Sequence, residues 1–158
     1  MDKKPVEMFV IDTNADPSLE GLPEGTIVKV HKVLGRLTWG EFKIRLFRTE
    51  EQKLSAVYTG EAGSEVLWHL EQEEELGMKL LNANVLDFLL EHPQLIPKSW
   101  KDKNVYFWGT MFYPHPEESS DTIIRYLLWE DGKWSSSYCY MYFSWYDDEP
   151  AAVIYIVA

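Results

Sequence analysis

Three side chains in the middle of the sequence have the types and the spacing of a metal-binding or acid–base site. Glu65, His69 and Glu73 follow one another at intervals of four residues, which places them along one face of a helix with roughly 6 Å between successive side chains. Two carboxylates and an imidazole in such a line could hold a divalent ion and support a small metal-dependent enzyme. The same spacing is also that of a solvated helical face with Glu–His contacts. We therefore predict no metal there, no cofactor and no catalytic residue, with the metal-dependent enzyme kept as an alternative.

The other reactive side chains lack the neighbours that catalysis requires. Cys139 lies within an apolar row, which is typical of a small buried hydrophobic residue rather than of a nucleophile. Ser135-Ser136-Ser137 lacks the strand–turn–helix context of a nucleophile elbow. The sequence has no phosphate-binding glycine loop and no zinc-site spacing. Enzymatic activity thus has no positive support in the sequence.

The aromatic residues of the C-terminal half indicate a β-hairpin with a candidate binding surface. Asp131-Gly132 separates two runs rich in β-branched and aromatic residues, and this dipeptide favours a type I′ turn, in which both central residues have positive φ. A two-residue turn pairs Trp129 with Trp134. One face of the hairpin then carries the candidate binding residues: Arg125, Trp129, Trp134, Tyr138 and Tyr140.

The opposite face of this hairpin is nearly free of charge, and we predict that it forms the core. It carries Ile124, Tyr126, Leu128, Ser135, Ser137, Cys139, Met141, Phe143 and Trp145. The Trp129–Trp134 pair would then lie away from the core, partly exposed, as a platform for a protein or a sugar, because aromatic residues and arginine are enriched at interfaces. The alternative is that helices cover this face as well.

The elements that position these residues fall into three parts of a predicted single domain, residues 1–158. Residues 1–60 are rich in short strands and loops, with strands near 6–11, 26–34, 42–46 and 56–58. Residues 64–92 are helical, and residues 105–157 are aromatic antiparallel strands, at about 105–113, 122–129, 134–146 and 152–157. The predicted fold class is α+β: a largely antiparallel sheet from the C-terminal half, with one or two helices packed on one face.

The helical part contains two predicted helices. Ser64 is the predicted N-cap of the first, which ends before Gly77. Asn82 or Asn84 caps the second, which ends at His92-Pro93 because a residue before proline avoids helical geometry. Its wide apolar arc is predicted to form the helix side of the core through Val85, Leu86, Leu89 and Leu90.

Several short motifs, taken in order, resemble a family of small hypothetical proteins encoded by uncultivated, small-genome bacteria. The motifs are Leu81-Asn82-Ala83-Asn84-Val85-Leu86-Asp87-Phe88-Leu89-Leu90, Leu95-Ile96-Pro97, Trp100, Phe107-Trp108-Gly109-Thr110, Arg125-Tyr126-Leu127, Trp129, Gly132-Lys133-Trp134 and Pro150-Ala151-Ala152-Val153. The similarity covers about 81–153 and is thinner at Ile11-Asp12-Thr13, His31 and Trp39. The chain departs from the family pattern in its acidic, Pro-rich loop at 114–121. The family has no assigned activity, so the resemblance implies no catalytic residue.

The charge of the chain limits the classes of partner that it can bind. The net charge is −11, with 26 acidic and 15 basic residues, which argues against a nucleic-acid partner and against an anionic membrane. A single cysteine fits a reducing compartment, and no apolar run approaches the roughly 20 residues of a membrane-spanning helix. We therefore expect a cytoplasmic protein that binds a protein partner. The alternative is an acidic inhibitor that inserts residues 61–76, with six glutamates and no Lys or Arg, into a basic groove.

Overall fold

The computed structural model describes residues 9–54, 60–115 and 121–155 of the chain. These ranges contain three α-helices, α1 (Glu50–Lys53), α2 (Gly63–Glu75) and α3 (Ala83–Glu91), and two short 3₁₀ helices, Pro93–Leu95 and Lys98–Trp100. They also contain twelve strands: β1 (Val10–Asp12), β2 (Ile27–His31), β3 (Arg36–Thr38), β4 (Arg45–Phe47), β5 (Glu61–Ala62), β6 (Met78–Leu80), β7 (Val105–Tyr106), β8 (Thr110–Tyr113), β9 (Ile123–Glu130), β10 (Lys133–Tyr140), β11 (Ser144–Trp145) and β12 (Ala151–Tyr155).

One large sheet connects most of these strands. Its spatial order within the described ranges is β2, β8, β9, β7, β12, β4, with β10 beside β9 and β6 beside β12. The pairings in it are antiparallel, apart from the parallel contact between β7 and β12. The other strands form two small antiparallel pairs, β1 with β3 and β5 with β11. This arrangement confirms an α+β fold with few helices and a mostly antiparallel sheet. No helix of the described ranges has the length and apolarity needed to cross a membrane.

Helix α3 forms the helix side of the largest core cluster, as its apolar arc predicts. The side chain of its N-cap, Asn82, accepts a hydrogen bond from the backbone of Asn84 at 3.1 Å, and the helix ends before Pro93. Val85, Leu86 and Leu89 are fully buried and belong to the same cluster as Leu127 and Val105, with Leu90 half-buried beside them. Burying each of these side chains contributes on the order of 1.5–3 kcal/mol.

Helix α2 begins two residues earlier than the predicted N-cap implies, and Ser64 is not its N-cap. Gly63 is the first helical residue, and Ala62 precedes it without a side-chain hydrogen bond to the helix. The reason is tertiary: a Cβ on Gly63 would lie 1.9 Å from the carbonyl oxygen of Met141, so only glycine allows the helix to start against that backbone. The C-terminal end agrees with the prediction, since Gly77 follows with a φ of 105°.

Two of the predicted long strands are broken. The strand predicted at 105–113 divides into β7 and β8, because the chain turns at Gly109 to contact the segment before α3. A Cβ on Gly109 would lie 2.7 Å from the carbonyl group of Leu81, whose oxygen accepts a hydrogen bond from the Gly109 backbone. The strand predicted at 134–146 ends at Tyr140, and β11 pairs elsewhere. The predicted strand at 56–58 lies outside the described residues, as do parts of those at 6–11 and 152–157.

Candidate functional site

The β9–β10 hairpin carries the predicted binding residues, and its register is the predicted one. Asp131 and Gly132 have φ values of 52° and 75°, as a type I′ turn requires. Trp129 faces Trp134, with ring centroids 5.2 Å apart in an edge-to-face arrangement. The ammonium group of Lys101 lies 4.0 Å above the Trp129 ring, a cation–π contact. Both tryptophans are half-buried, so the predicted partial exposure of the pair is confirmed.

The prediction that this face lies away from the core is wrong. Leu127 shares the face and is 0% exposed in the α3 core cluster, and Trp134 contacts that cluster from its edge. Arg125 is only 6% exposed, because α3 covers it. Its guanidinium donates two hydrogen bonds to the Asp87 carboxylate, at 2.9 and 3.2 Å, and one to the Ser136 hydroxyl at 3.2 Å. Arg125 therefore joins the helix to the hairpin and offers no free cation at the surface.

The face predicted to be core is buried only near the base of the hairpin. Ile124 and Trp145 are buried in a second core cluster, which Cys139 and Met141 contact. Phe143, predicted inside, is 47% exposed, because β10 ends at Tyr140 and the following turn breaks the alternation. Both faces of β9 are therefore covered. The ion pair with Asp87 allows Arg125 to be buried on one of them.

A row of aromatic side chains runs along the second half of β10 and into the turn that follows it. We use the name aromatic row for Tyr138, Tyr140, Tyr142 and Phe143. Successive ring centroids along the row are 6.3, 5.4 and 4.6 Å apart. Tyr138 and Tyr140 are half-buried, whereas Tyr142 is 65% exposed. The row is therefore a continuous aromatic surface that is most accessible just after the strand.

The outer edge of β10 is free within the part of the chain that the structure describes. Strand β10 pairs with β9 on one side, and no described strand lies on its other side. In a hairpin with a two-residue turn, the residues that flank the turn form a hydrogen-bonded pair. The backbone groups of Trp134, Ser136 and Tyr138 therefore point outward, and no hydrogen bond between described residues satisfies them.

Features that normally prevent pairing at a sheet edge are scarce on β10. Natural edge strands are protected by charges, proline, bulges or short length. Strand β10 has eight residues, a single charged residue, Lys133, no proline, and a continuous register with β9. Its central residues, Ser135 to Ser137, are small. Within the described ranges, the edge is thus open and competent to pair with another strand.

A separate cleft brings together some of the residues with predicted metal-binding spacing. The cleft has a volume of about 320 Å³ and is lined by Leu46, Phe47, Arg48, Thr49, Glu50, Glu51, Lys53, His69 and Glu73. Glu65 is exposed and does not line it. His69 instead meets Glu61, whose Oε1 atom lies 3.4 Å from His69 Nε2. No group of three or more His, Cys, Asp or Glu side chains is assembled for a metal ion among the described residues.

Glu61, which contacts the cleft residue His69 but does not itself line the cleft, is the residue that the sequence analysis missed. Its side chain is 0% exposed, against 41% for His69. One carboxylate oxygen, Oε2, accepts a hydrogen bond from the hydroxyl of Thr49, the N-cap of α1, at 2.5 Å. The other, Oε1, has no hydrogen-bond donor among the described residues. A glutamate between two glycines, Gly60 and Gly63, was the available signal, because small residues allow a close approach to β11.

Burial makes the Cys139 thiol, which lies near Glu149 and Tyr106, a weak candidate for a nucleophile. Glu149 Oε2 accepts a hydrogen bond from the Tyr106 hydroxyl at 3.0 Å. Burial raises the pKa of the Glu149 carboxyl and also raises the pKa of the Cys139 thiol. A raised thiol pKa keeps Cys139 protonated and weakly nucleophilic, in agreement with its interpretation as a small hydrophobic residue.

Comparison of the chain with protein-family models, curated proteins and solved structures finds no match. The resemblance to the small hypothetical bacterial proteins therefore stays a prediction.

Proposed function

We propose that the protein binds a partner protein by accepting an extended segment of it along the outer edge of β10. The observation that supports this function is the unpaired edge, at which the backbone groups of Trp134, Ser136 and Tyr138 point away from β9. A strand added at this edge would gain main-chain hydrogen bonds, and its alternate side chains would contact the residues that flank them. This function needs neither a cofactor nor a catalytic residue.

The side chains on the two faces of β10 supply the selectivity of the proposed interaction. A strand added beside β10 would lie about 4.8 Å from it. On one face its side chains would meet Trp134, Tyr138 and Tyr140, and on the other they would meet Ser135 and Ser137. Large apolar or aromatic partner residues suit the first face. Successive side chains of a bound strand point to opposite faces, so every second partner residue would lie against the small serines. A shift of the bound segment by one residue would therefore place its large side chains on the wrong face, and the site discriminates between these two registers.

Charge favours a basic segment over a second copy of the chain. The net charge of −11 attracts basic segments and repels an identical chain. Glu130 and Asp131 are exposed at the turn that ends the edge, where they can meet basic residues of the bound segment. We accordingly propose a basic, extended segment of another cytoplasmic protein as the occupant, and no nucleic acid.

The alternative inhibitor function receives less support. It needs the acidic residues of 61–76 to be free for a basic groove. Glu74 contacts Lys32, and Glu61 is buried, so part of this charge is already used within the molecule. Glu71 and Glu75 remain exposed on α2.

A matched pair of variants at one position tests strand addition. Ser136→Pro removes the outward N–H group and places a ring on the edge, without removing a donor to β9, a position where proline is tolerated. Ser136→Ala loses the same hydroxyl but keeps the N–H group. The probe is a displayed library of random peptides long enough to pair with all of β10. We expect selection of basic, extended peptides that bind wild type and Ser136→Ala alike, with at least tenfold weaker binding to Ser136→Pro.

Two results would reject the proposed function. One is a folded wild-type protein that selects no peptide from the library. The other is a set of selected peptides that bind Ser136→Pro as tightly as Ser136→Ala, with both variants shown to be folded by circular dichroism. Size-exclusion chromatography could instead show a stable dimer of the wild type that Ser136→Pro dissociates. That result would identify a second copy of the chain, rather than another protein, as the occupant of the edge.

A further inference from the structure

We propose that Glu61 and His69 bind a divalent transition-metal ion, with Zn²⁺ as the reference ion, where the buried Glu61 carboxylate meets His69 at the wall of the cleft beside α1. This inference is independent of the proposed function, because the cleft is lined by residues of β4, α1 and α2 and by none of β10. It also differs from the site considered in the sequence, since Glu61 takes the place of Glu65.

The separation of the two donor atoms fits a shared ion better than a direct hydrogen bond. Glu61 Oε1 and His69 Nε2 lie 3.4 Å apart, and Oε1 still has no hydrogen-bond donor among the described residues. A zinc ion binds histidine nitrogen and carboxylate oxygen at about 2.0–2.2 Å with tetrahedral geometry, which places two such donors about 3.4 Å apart. An ion between them would therefore require little movement of either side chain.

The unsatisfied oxygen gives the site a reason to take up a cation. A buried carboxylate oxygen without a donor is unfavourable, because its hydration is lost and not replaced. The hydrogen bond from Thr49 to Oε2 holds the carboxylate and leaves Oε1 directed towards His69. Such outer partners of metal-binding carboxylates fix the ligand geometry. A divalent ion would satisfy Oε1 and compensate the buried charge together.

The surrounding charges favour a cation in the same cleft. Its two basic residues are engaged with carboxylates, Arg48 with Asp147 and Lys53 with Glu50. Glu73, one helical turn beyond His69, lines the same cleft and adds a carboxylate to it. Water would fill the remaining position, because the cleft is open. Nitrogen and oxygen donors with an open position suit Zn²⁺, Co²⁺ and Ni²⁺.

Calorimetric titration of the untagged full chain with ZnCl₂, after removal of metal by a chelator, tests the inference. We expect one ion per chain, bound at least tenfold more weakly by His69→Ala and by Glu61→Gln. The matched control is Glu65→Gln, which changes a carboxylate on the same helix outside the cleft and should leave the affinity unchanged. Titration with CoCl₂ should give the intense visible absorption of four-coordinate Co²⁺ in the wild type, and His69→Ala should lose it.

His69→Ala decides the outcome, because His69 is half-exposed and its truncation is compatible with folding, whereas Glu61 is buried. Equal zinc affinity of the wild type and His69→Ala would show adventitious surface binding only and would overturn the inference. Absence of zinc binding by the folded wild type would overturn it as well.

Discussion

The two strands of the hairpin both carry aromatic residues but have different neighbours in the sheet. Strand β9 pairs with β10 on one side and with β7 and β8 on the other, and its residues from Ile123 to Arg125 are buried. Strand β10 pairs only with β9 among the described strands, and most of its residues are half-buried. Aromatic residues on both sides of the Asp131-Gly132 turn therefore predict that both are strands, while the neighbours in the sheet decide which strand is core and which is available for binding.

The largest difference between the two strands should appear in stability. Leu127 and Ser136 are direct cross-strand partners, so truncating each to alanine compares the strands at one level of the sheet. We expect Leu127→Ala to lower the free energy of unfolding by about 2–5 kcal/mol through lost transfer energy and a cavity. Ser136→Ala should lower it by less than about 1 kcal/mol. Chemical denaturation of both variants measures this, and equal costs would show that β10 is as deeply packed as β9.

The ion pair between α3 and β9 should give an effect comparable to that of the tryptophan pair, and smaller than that of Leu127→Ala. Asp87→Ala leaves the buried Arg125 guanidinium without its carboxylate, and we expect a loss of about 2 kcal/mol, below the range for fully buried pairs because Asp87 is one-third exposed. Adding Arg125→Met to that variant should recover part of the loss, since an uncharged side chain suits the covered face. A double variant less stable than Asp87→Ala alone would contradict the assignment of Arg125 as a covered residue.

The tryptophan pair is neither fully buried nor fully exposed, so its replacement should lower the free energy of unfolding by an intermediate amount. Replacing both Trp129 and Trp134 by Thr removes an edge-to-face contact worth about 0.5–1.5 kcal/mol and half-buried apolar area. We expect a total loss of about 2–3 kcal/mol with a cooperative transition retained. Thermal denaturation followed by circular dichroism checks this. A protein that no longer folds would place the pair in the core, and an unchanged melting temperature would place it fully in solvent.

The aromatic row should show the smallest effect on stability and a clear effect on binding. Tyr142→Ser and Phe143→Ser change exposed rings, so each should alter the free energy of unfolding by less than about 0.5 kcal/mol. If peptides bound at β10 extend along the row, the same changes weaken peptide binding severalfold. Fluorescence titration with a library-selected peptide measures the affinity, and unchanged binding would confine the binding surface to β10 itself.

Local chemistry made the hairpin and α3 predictable. Asp131-Gly132 specifies a turn whose geometry fixes the register of Trp129 and Trp134, and neither depends on distant residues. Asn82 caps α3 through a bond within its own segment, and the spacing of Val85, Leu86 and Leu89 defines the buried face. These features were recovered because each depends on a few consecutive residues.

Contacts between distant segments produced the errors. Arg125 looked like a solvent-facing residue because its partner, Asp87, belongs to another element. Gly63 and Gly109 changed the bounds of α2 and β7 through close contacts with Met141 and Leu81, which no local pattern reveals. Glu61 and His69 meet only because β5 pairs with β11 beside α2. The sequence predicts Glu65, His69 and Glu73 along one face of a helix, whereas in the structure the carboxylate that contacts His69 is that of Glu61 in β5.

Amide hydrogen exchange in β10 tests the free edge most directly, because it reports on each backbone N–H group separately. In the free protein, the amides of Trp134, Ser136 and Tyr138 should exchange quickly, while those of Ser135, Ser137 and Cys139, which bond to β9, should be protected. On addition of a selected peptide, protection should appear at Trp134, Ser136 and Tyr138. Protection of these three amides in the free protein, or no change on binding, would contradict the account.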